Sequence, residues 1–303
     1  MSLTPPFSIT QQQFLAIMPK FTSMFSIAGS LYIIIHVARS KKRRRRVYTR
    51  LMLGMSAMDL IWSIKSFLST WIIPADSPGA TWGAIGTTQT CTAAAFWGQG
   101  GSLASIIYNG TLALYFYWTI RLGWKQEMIR KYEVYLHAVP LLIGWSTAIA
   151  GLPLLLYNSI GWTCWIGPYP LTCTLIPNQI CTRGVNARIY QWAFFHAILW
   201  LCFAFVIVIM VLIYQKIRSL ERVMDRYRYG SRGEMEPGNT SDGDLRPPDS
   251  SLYRRRVRRS DTDNANIKTK TRARLSRQFA GQAWYYILAF FITCPSTLFH
   301  LRR

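Results

Sequence analysis

The sequence predicts an all-α membrane protein built as a bundle of transmembrane helices, and two observations point to this fold class. Half of the 303 residues are hydrophobic, and they lie in long stretches that hold almost no charge. The 35 Lys and Arg residues outnumber the 13 Asp and Glu residues and crowd into a few short blocks between those stretches. This separation argues against a soluble enzyme, a disordered chain and a nucleic-acid-binding domain.

Six stretches are long enough to cross a bilayer, because a helical span needs about 20 mostly apolar residues. The predicted spans are residues 14–37, 51–73, 92–120, 134–157, 190–214 and 279–301. The segment Met1–Pro19 has neither a basic N-terminal region nor a small-residue cleavage site. We therefore expect the first span to be a retained anchor, with no signal peptide before it.

The charge of the loops predicts the side that each one faces, because basic residues are retained in the cytoplasm. Basic residues are frequent in the first, third and fifth loops and rare in the second and fourth, in the order 38–50, 74–91, 121–133, 158–189 and 215–278. The N-terminal residues 1–20 should therefore be extracellular. The long loop 215–278 should be cytoplasmic, with helical ends and a largely disordered middle. Helix 279–303 should end outside.

The basic run Lys41–Arg46 in the first loop has two interpretations. It fixes the topology and attracts anionic lipid at the cytoplasmic face, since each basic residue near the surface contributes about 1 kcal/mol. The alternative is contact with a cytosolic protein.

The cysteines agree with this topology. Four of the six are predicted to lie on the outer side, whereas Cys202 and Cys294 lie within spans; the four are Cys91, Cys164, Cys173 and Cys181. An even set on the oxidising side predicts two disulfide bonds, with three possible pairings.

Several residues inside the predicted spans are candidates for function. Asp59 in the second span should face the bundle interior with a partner, since an acid within a bilayer is costly, and Asn109 lies at a similar depth. This pair serves either a conformational switch or ion site, or only a structural hydrogen bond. Pro295 should kink the sixth span because it removes a backbone donor. Arg121 closes the third span and is most simply a snorkelling residue at the boundary.

The remaining motifs are few. Ser260 and Ser276 each follow a cluster of arginines in the long loop, which suits phosphorylation by a kinase with an acidic site, although an unmodified basic loop fits equally. The sequence contains no P-loop, HExxH, GxSxG or paired CxxC motif, and its histidines have no metal-binding spacing. We expect no enzymatic activity, no cofactor and no metal.

The order of these features resembles that of the seven-helix G protein-coupled receptors. The resemblance is carried by the segment Leu51–Leu60 after a basic loop, Cys91 at the outer start of the third span, Trp145, the outer-loop segment Gly161–Ile166 and Pro295. The pair Cys164-Trp165 is similar to the secretin-like and cAMP-receptor-like branches, the latter as found in microbial eukaryotes. The chain departs from the family pattern in having no Asp-Arg-Tyr triplet after the third span and in ending at Arg303, before a seventh helix.

The resemblance implies a plasma-membrane receptor with a ligand cavity open to the outside. It implies that Cys91 pairs with Cys164 and Cys173 with Cys181. It further implies that Asp59 couples ion binding to activation and that Pro295 is a hinge. A heterotrimeric G protein would dock on the cytoplasmic ends of the third, fifth and sixth helices, where the facing arginines are Arg121, Arg218, Arg222, Arg274 and Arg277.

Two alternatives remain from the sequence. The first is a six-span transporter or channel subunit in which Asp59 and Asn109 line a path for the substrate. The second is a non-signalling membrane scaffold whose basic loops bind lipid or protein.

Overall fold

The computed structural model describes residues 8–77, 81–171, 173 and 179–230, and this part of the chain is mostly helical. Its helices in chain order are α1 (Ile9–Ala38), α2 (Lys41–Arg44), α3 (Val47–Leu68), α4 (Thr88–Ile120), α5 (Gln126–Gly151), α6 (Ala187–Gln191) and α7 (Ala197–Gly230). A 3-10 helix, Ser69–Ile72, follows α3, and a π-helical turn, Trp192–His196, joins α6 to α7. Between α5 and α6 lies a hairpin of two antiparallel strands, β1 (Tyr157–Ser159) and β2 (Cys164–Ile166).

Four of the described helical segments are long and apolar enough to cross a membrane, namely Ile9–Ala38, Val47–Ile72, Gln126–Gly151 and Ala187–Arg222. They expose many large apolar side chains, Phe14, Phe21 and Phe25 among them. The prediction of an all-α, membrane-type protein is therefore confirmed, and the four segments coincide with the first, second, fourth and fifth predicted spans. The sixth predicted span, 279–301, lies outside the described residues.

The third predicted span forms a helix, α4, but α4 is not among the four sufficiently apolar segments. Its surroundings explain this composition. About half of its 33 residues are buried, whereas only 17–28% of the apolar window is buried in each of the other four segments. A helix covered by protein needs no continuous apolar surface, so α4 accommodates glycines and polar residues.

Glycines bring α4 close to its neighbours. A Cβ atom on Gly101 would lie 3.2 Å from the Met58 carbonyl oxygen of α3, and one on Gly100 would lie 2.7 Å from the Trp145 ring of α5. Conversely, a Cβ on Gly144 of α5 would lie 2.9 Å from the Gly100 carbonyl oxygen. Small residues of this kind let the backbones of membrane helices approach each other closely.

The fourth predicted span, 134–157, is wrong at its end. Helix α5 stops at Gly151, and the chain turns at Leu155, whose φ of 50° is left-handed. Tyr157 is a buried strand residue whose hydroxyl donates to the Ala148 carbonyl at 2.7 Å. Burial also raises the pKa of this phenol, so it remains a neutral donor. The apolar run that resembled the end of a span is therefore the core of the hairpin.

Two clusters of buried side chains mark the ends of the helix bundle. We call the end that carries the β1–β2 hairpin the hairpin end; its cluster consists of Ile72, Ile73, Cys91, Ala95, Leu156, Tyr157, Cys164, Ile166 and Ala187. We call the end that carries Lys41–Arg46 the arginine end; its cluster consists of Val47, Leu51, Met55, Tyr108, Leu112, Ile129 and Leu136.

The chain divides into two compact units. The first comprises residues up to 119 together with 124–207, and the second comprises 120–123 together with the residues from 208 onward. Helix α7 continues to Gly230, which confirms the prediction that helical structure extends beyond Tyr214 into the segment 215–278.

Candidate functional site: three polar layers along α4

Helix α4 carries polar side chains at spacings that are multiples of three residues. Gln99, Ser105 and Tyr108 each bond to a side chain of another element. At a rise of 1.5 Å per residue, the nine residues from Gln99 to Tyr108 span about 13 Å of helix. The three contacts therefore form layers, which we call the hairpin layer, the middle layer and the arginine layer.

Gln99 is the centre of the hairpin layer. Its side chain is fully buried, yet its amide oxygen accepts from the Trp165 indole at 2.8 Å and its amide nitrogen donates to the Phe194 carbonyl at 3.1 Å. These bonds join α4 to strand β2 and to the π-helical turn. Such turns occur frequently at functional sites, because they displace backbone groups from the regular helical pattern.

Lys65 of α3 also belongs to the hairpin layer and is 5% exposed. Its amine donates to the Thr163 hydroxyl at 2.9 Å and lies 4.9 Å from the centre of the Trp62 ring. Within the described ranges, no Asp or Glu side chain forms an ion pair with Lys65. Lys65 was not among the residues predicted from the sequence, although a Lys inside a predicted span is as strong a signal as Asp59.

Two disulfide bonds lie in the described part of the chain. Cys91 pairs with Cys164 and Cys173 with Cys181, at Cα–Cα distances of 5.3 and 5.2 Å. This is the pairing that the receptor resemblance implies. The first bond fastens β2, next to Thr163, to the beginning of α4. Cys202 is a free, half-buried thiol.

The middle layer contains Asp59, which is half-buried in α3. The Ser105 hydroxyl of α4 donates to its carboxylate. Asn109, the neighbour expected from the sequence, is instead exposed. Asn109 lies at the expected depth along α4, but the rotation of the helix brings Ser105 rather than Asn109 to Asp59.

The arginine layer is a chain of polar contacts between α4, α5 and α3. The Tyr108 hydroxyl and His137 Nδ1 form a 3.0 Å hydrogen bond, and His137 Nε2 lies 3.9 Å from Glu133. Glu133 in turn accepts two hydrogen bonds from the Arg50 guanidinium, one of them 2.5 Å long between Nη2 and Oε2. Such a bidentate pair fixes the orientation of both side chains. Arg50 was predicted from the sequence only as one of the basic residues of the first loop.

Three of the five arginines predicted to face a cytoplasmic G protein lie in the described part of the chain. In the second unit, Arg121 is half-buried and donates to the Leu212 carbonyl of α7 at 3.2 Å. Arg218 and Arg222 are exposed on α7, and the Arg218 guanidinium lies 5.0 Å from the Tyr214 ring. The other assigned residues lie outside the described residues, namely Arg274, Arg277, Ser260, Ser276 and Pro295.

A groove of about 400 Å³ opens at the hairpin end, beside the beginning of α4. Its lining includes Phe96, Trp97 and Leu152. None of the hairpin-layer residues Lys65, Gln99 or Thr163 lines it, so this groove is separate from the polar contacts described above.

No protein-family model matches the chain, and no curated protein matches it.

Proposed function

We propose that this protein is a membrane receptor of the G protein-coupled type, which passes an extracellular ligand signal to a cytoplasmic heterotrimeric G protein. The observation that carries the proposal is the bond between Cys91 and Cys164. It fastens the hairpin to the first residues of α4, the helix whose buried face carries the three polar layers. A disulfide bond from the outer start of the third helix to the second outer loop is what the receptor resemblance implies.

The proposed topology has six spans within this chain, namely α1, α3, α4, α5, the continuous segment from α6 into α7, and residues 279–301. The hairpin end faces the outside of the plasma membrane, which agrees with the position of both disulfide bonds. The arginine end faces the cytoplasm, where the run Lys41–Arg46 meets anionic lipid.

The proposed mechanism is a shift between two arrangements of the bundle. A ligand that binds one arrangement more tightly raises its population, by an amount set by the difference in affinity. The polar layers supply contacts that can change between the arrangements, since hydrogen bonds can exchange partners while apolar packing is kept. In this scheme Gln99 senses movement of the hairpin and the π-helical turn, and the Asp59–Ser105 contact couples α3 to α4.

A G protein assay tests the proposal directly. The full chain, reconstituted in nanodiscs, should accelerate nucleotide exchange on at least one of a panel of heterotrimers. The double change Arg218→Glu and Arg222→Glu should reduce this exchange at least tenfold, or about 1.4 kcal/mol, because it reverses two exposed charges on α7. The double change Lys41→Glu and Lys42→Glu is the control, since it makes the same change in charge elsewhere on the chain.

An inactive chain in this assay would count against the receptor. If no heterotrimer responds while liposomes that contain the chain show substrate flux, the transporter or channel alternative replaces it. If neither nucleotide exchange nor substrate flux is detected, the non-signalling scaffold is favoured.

The change Asp59→Asn tests the coupling role of the middle layer. Asparagine keeps the shape and can still accept the Ser105 hydrogen bond, but it removes the cost of a half-buried charge. We expect basal nucleotide exchange to fall about fivefold. This corresponds to stabilisation of the described arrangement by about 1 kcal/mol relative to the arrangement that activates the G protein. Ser105→Ala is the matched control, because it keeps the charge and removes its donor, and it should lower the unfolding temperature instead. Unchanged exchange in Asp59→Asn would assign the residue a structural role only.

A further inference from the structure

The amine of Lys65 is buried with only part of its bonding capacity used. An ammonium group has three donors, and the described partners are the hydroxyl of Thr163 and the ring face of Trp62. Both partners are neutral. Burying a cation without an anionic partner is costly, so the site lacks the negative charge that would compensate it.

Two unsatisfied hydroxyl groups follow Lys65 along the chain, within the next five residues. Ser69 and Thr70 are 2% and 1% exposed, and their side-chain oxygens have no hydrogen-bond partner among the described residues. The backbone N–H of Ser69 donates to the Lys65 carbonyl, and Ser69 and Thr70 begin the 3-10 helix that follows α3. All three residues therefore lie at the hairpin end of α3. Buried hydroxyls are normally hydrogen-bonded, and an unsatisfied one requires an explanation.

We infer that Lys65, Ser69, Thr70 and Thr163 form a binding site for an oxyanion, a carboxylate or phosphate group carried by the extracellular ligand. One cation and several hydroxyl donors are the groups that such an anion accepts hydrogen bonds from. The inference rests on the proposed function and deepens it, because it names the chemical class of the ligand.

The hairpin contributes Thr163 to this site. Thr163 immediately precedes Cys164, which the disulfide holds to α4. A ligand oxyanion would replace the Thr163 hydroxyl as the acceptor for the Lys65 amine, because an anion attracts an ammonium group more strongly than a neutral hydroxyl does. The displaced Thr163 hydroxyl could then donate to the bound anion. Binding at Lys65 would therefore release the direct contact between Lys65 and Thr163, while the disulfide still holds the hairpin.

The test measures thermal unfolding of the full chain in phosphatidylcholine nanodiscs, followed by tryptophan fluorescence. Sodium phosphate and sodium acetate are the probes, with sodium chloride at equal ionic strength as reference. We expect one or both probes to raise the unfolding temperature of the wild type saturably, by about 3 °C at tenfold excess over the dissociation constant. A second set of nanodiscs with phosphatidylglycerol shows whether a lipid headgroup can supply the oxyanion.

Four variants assign the effect to this site. The rise should vanish in Lys65→Met and persist in Lys65→Arg, which keeps the charge and the donors. It should also persist in Lys20→Met, the matched control, because Lys20 is a half-buried lysine that donates to the Phe67 and Leu68 carbonyls at the same end of α3. In Thr70→Val the probe effect should fall at least twofold, while the unfolding temperature without probe stays the same or rises, since an unsatisfied hydroxyl is removed.

The inference is overturned if the wild type shows no saturable rise in either set of nanodiscs. It is also overturned if the rise is equally large in Lys65→Met, or if Lys20→Met abolishes it. Should Lys65→Met fail to fold, Thr70→Val decides, and an undiminished rise in that variant overturns the inference. No G protein takes part in this measurement, so its failure is distinct from failure of the proposed receptor function.

Discussion

Replacing Cys164 with serine should lower the free energy of unfolding by about 4 kcal/mol, the value expected for a cross-link that closes a loop of this length. The bond between Cys91 and Cys164 spans 73 residues of sequence and joins the hairpin to α4. Its loss should also detach Thr163 from its position beside Lys65. The measurement is thermal unfolding of the purified chain in nanodiscs, together with mass spectrometry that verifies the remaining disulfide.

The second disulfide is the control for this prediction. Cys173 and Cys181 are only eight residues apart, so Cys173→Ser should cost less, about 2.5 kcal/mol by the same loop-closure argument. It should leave the Lys65–Thr163 contact unaffected. Equal losses in the two serine variants would contradict the importance that we assign to the hairpin attachment.

The change Gly144→Leu should lower the free energy of unfolding by about 3 kcal/mol through overpacking. A Cβ at this position would lie 2.9 Å from both the Ala104 backbone nitrogen and the Gly100 carbonyl oxygen of α4. Because these are backbone atoms, the strain cannot be relieved by a side-chain rotation, and α4 and α5 must separate. Unfolding temperature and yield of folded protein in detergent measure the effect.

Gly29→Leu provides the comparison. Gly29 lies in α1, where an added Cβ would meet nothing within 4 Å, so leucine should leave stability unchanged or raise it by about 1 kcal/mol through helix propensity. If Gly144→Leu also left the unfolding temperature unchanged, this result would contradict the close approach of α4 and α5.

The sequence predicted the helices well because apolar length is a property that each span shows alone. For this reason four of the predicted spans coincide with apolar helical segments of the structure, namely Ile9–Ala38, Val47–Ile72, Gln126–Gly151 and Ala187–Arg222. The hairpin was missed because its strands have only three residues each and continue an apolar run after α5.

The candidate site was less predictable, because its contacts join distant parts of the chain. Lys65 and Thr163 are separated by 98 residues, and no local pattern indicates that they meet. For Asp59, the sequence correctly indicated that a polar partner was needed, but helix rotation decided that the partner is Ser105. The cysteine count left three pairings open, and only the family resemblance distinguished among them.

The composition of α4 has a consequence for how the protein is made. A helix that carries Gln99, three nearby glycines and buried serines gains little by leaving the translocon for lipid on its own. In the topology proposed above, α4 therefore enters the bilayer together with its neighbours, after α5 has been synthesised and can cover Gly100 with Trp145. Biogenesis would then be cooperative at this point of the chain, and the oxidation that joins Cys91 to Cys164 would follow insertion, because Cys164 emerges only after α5.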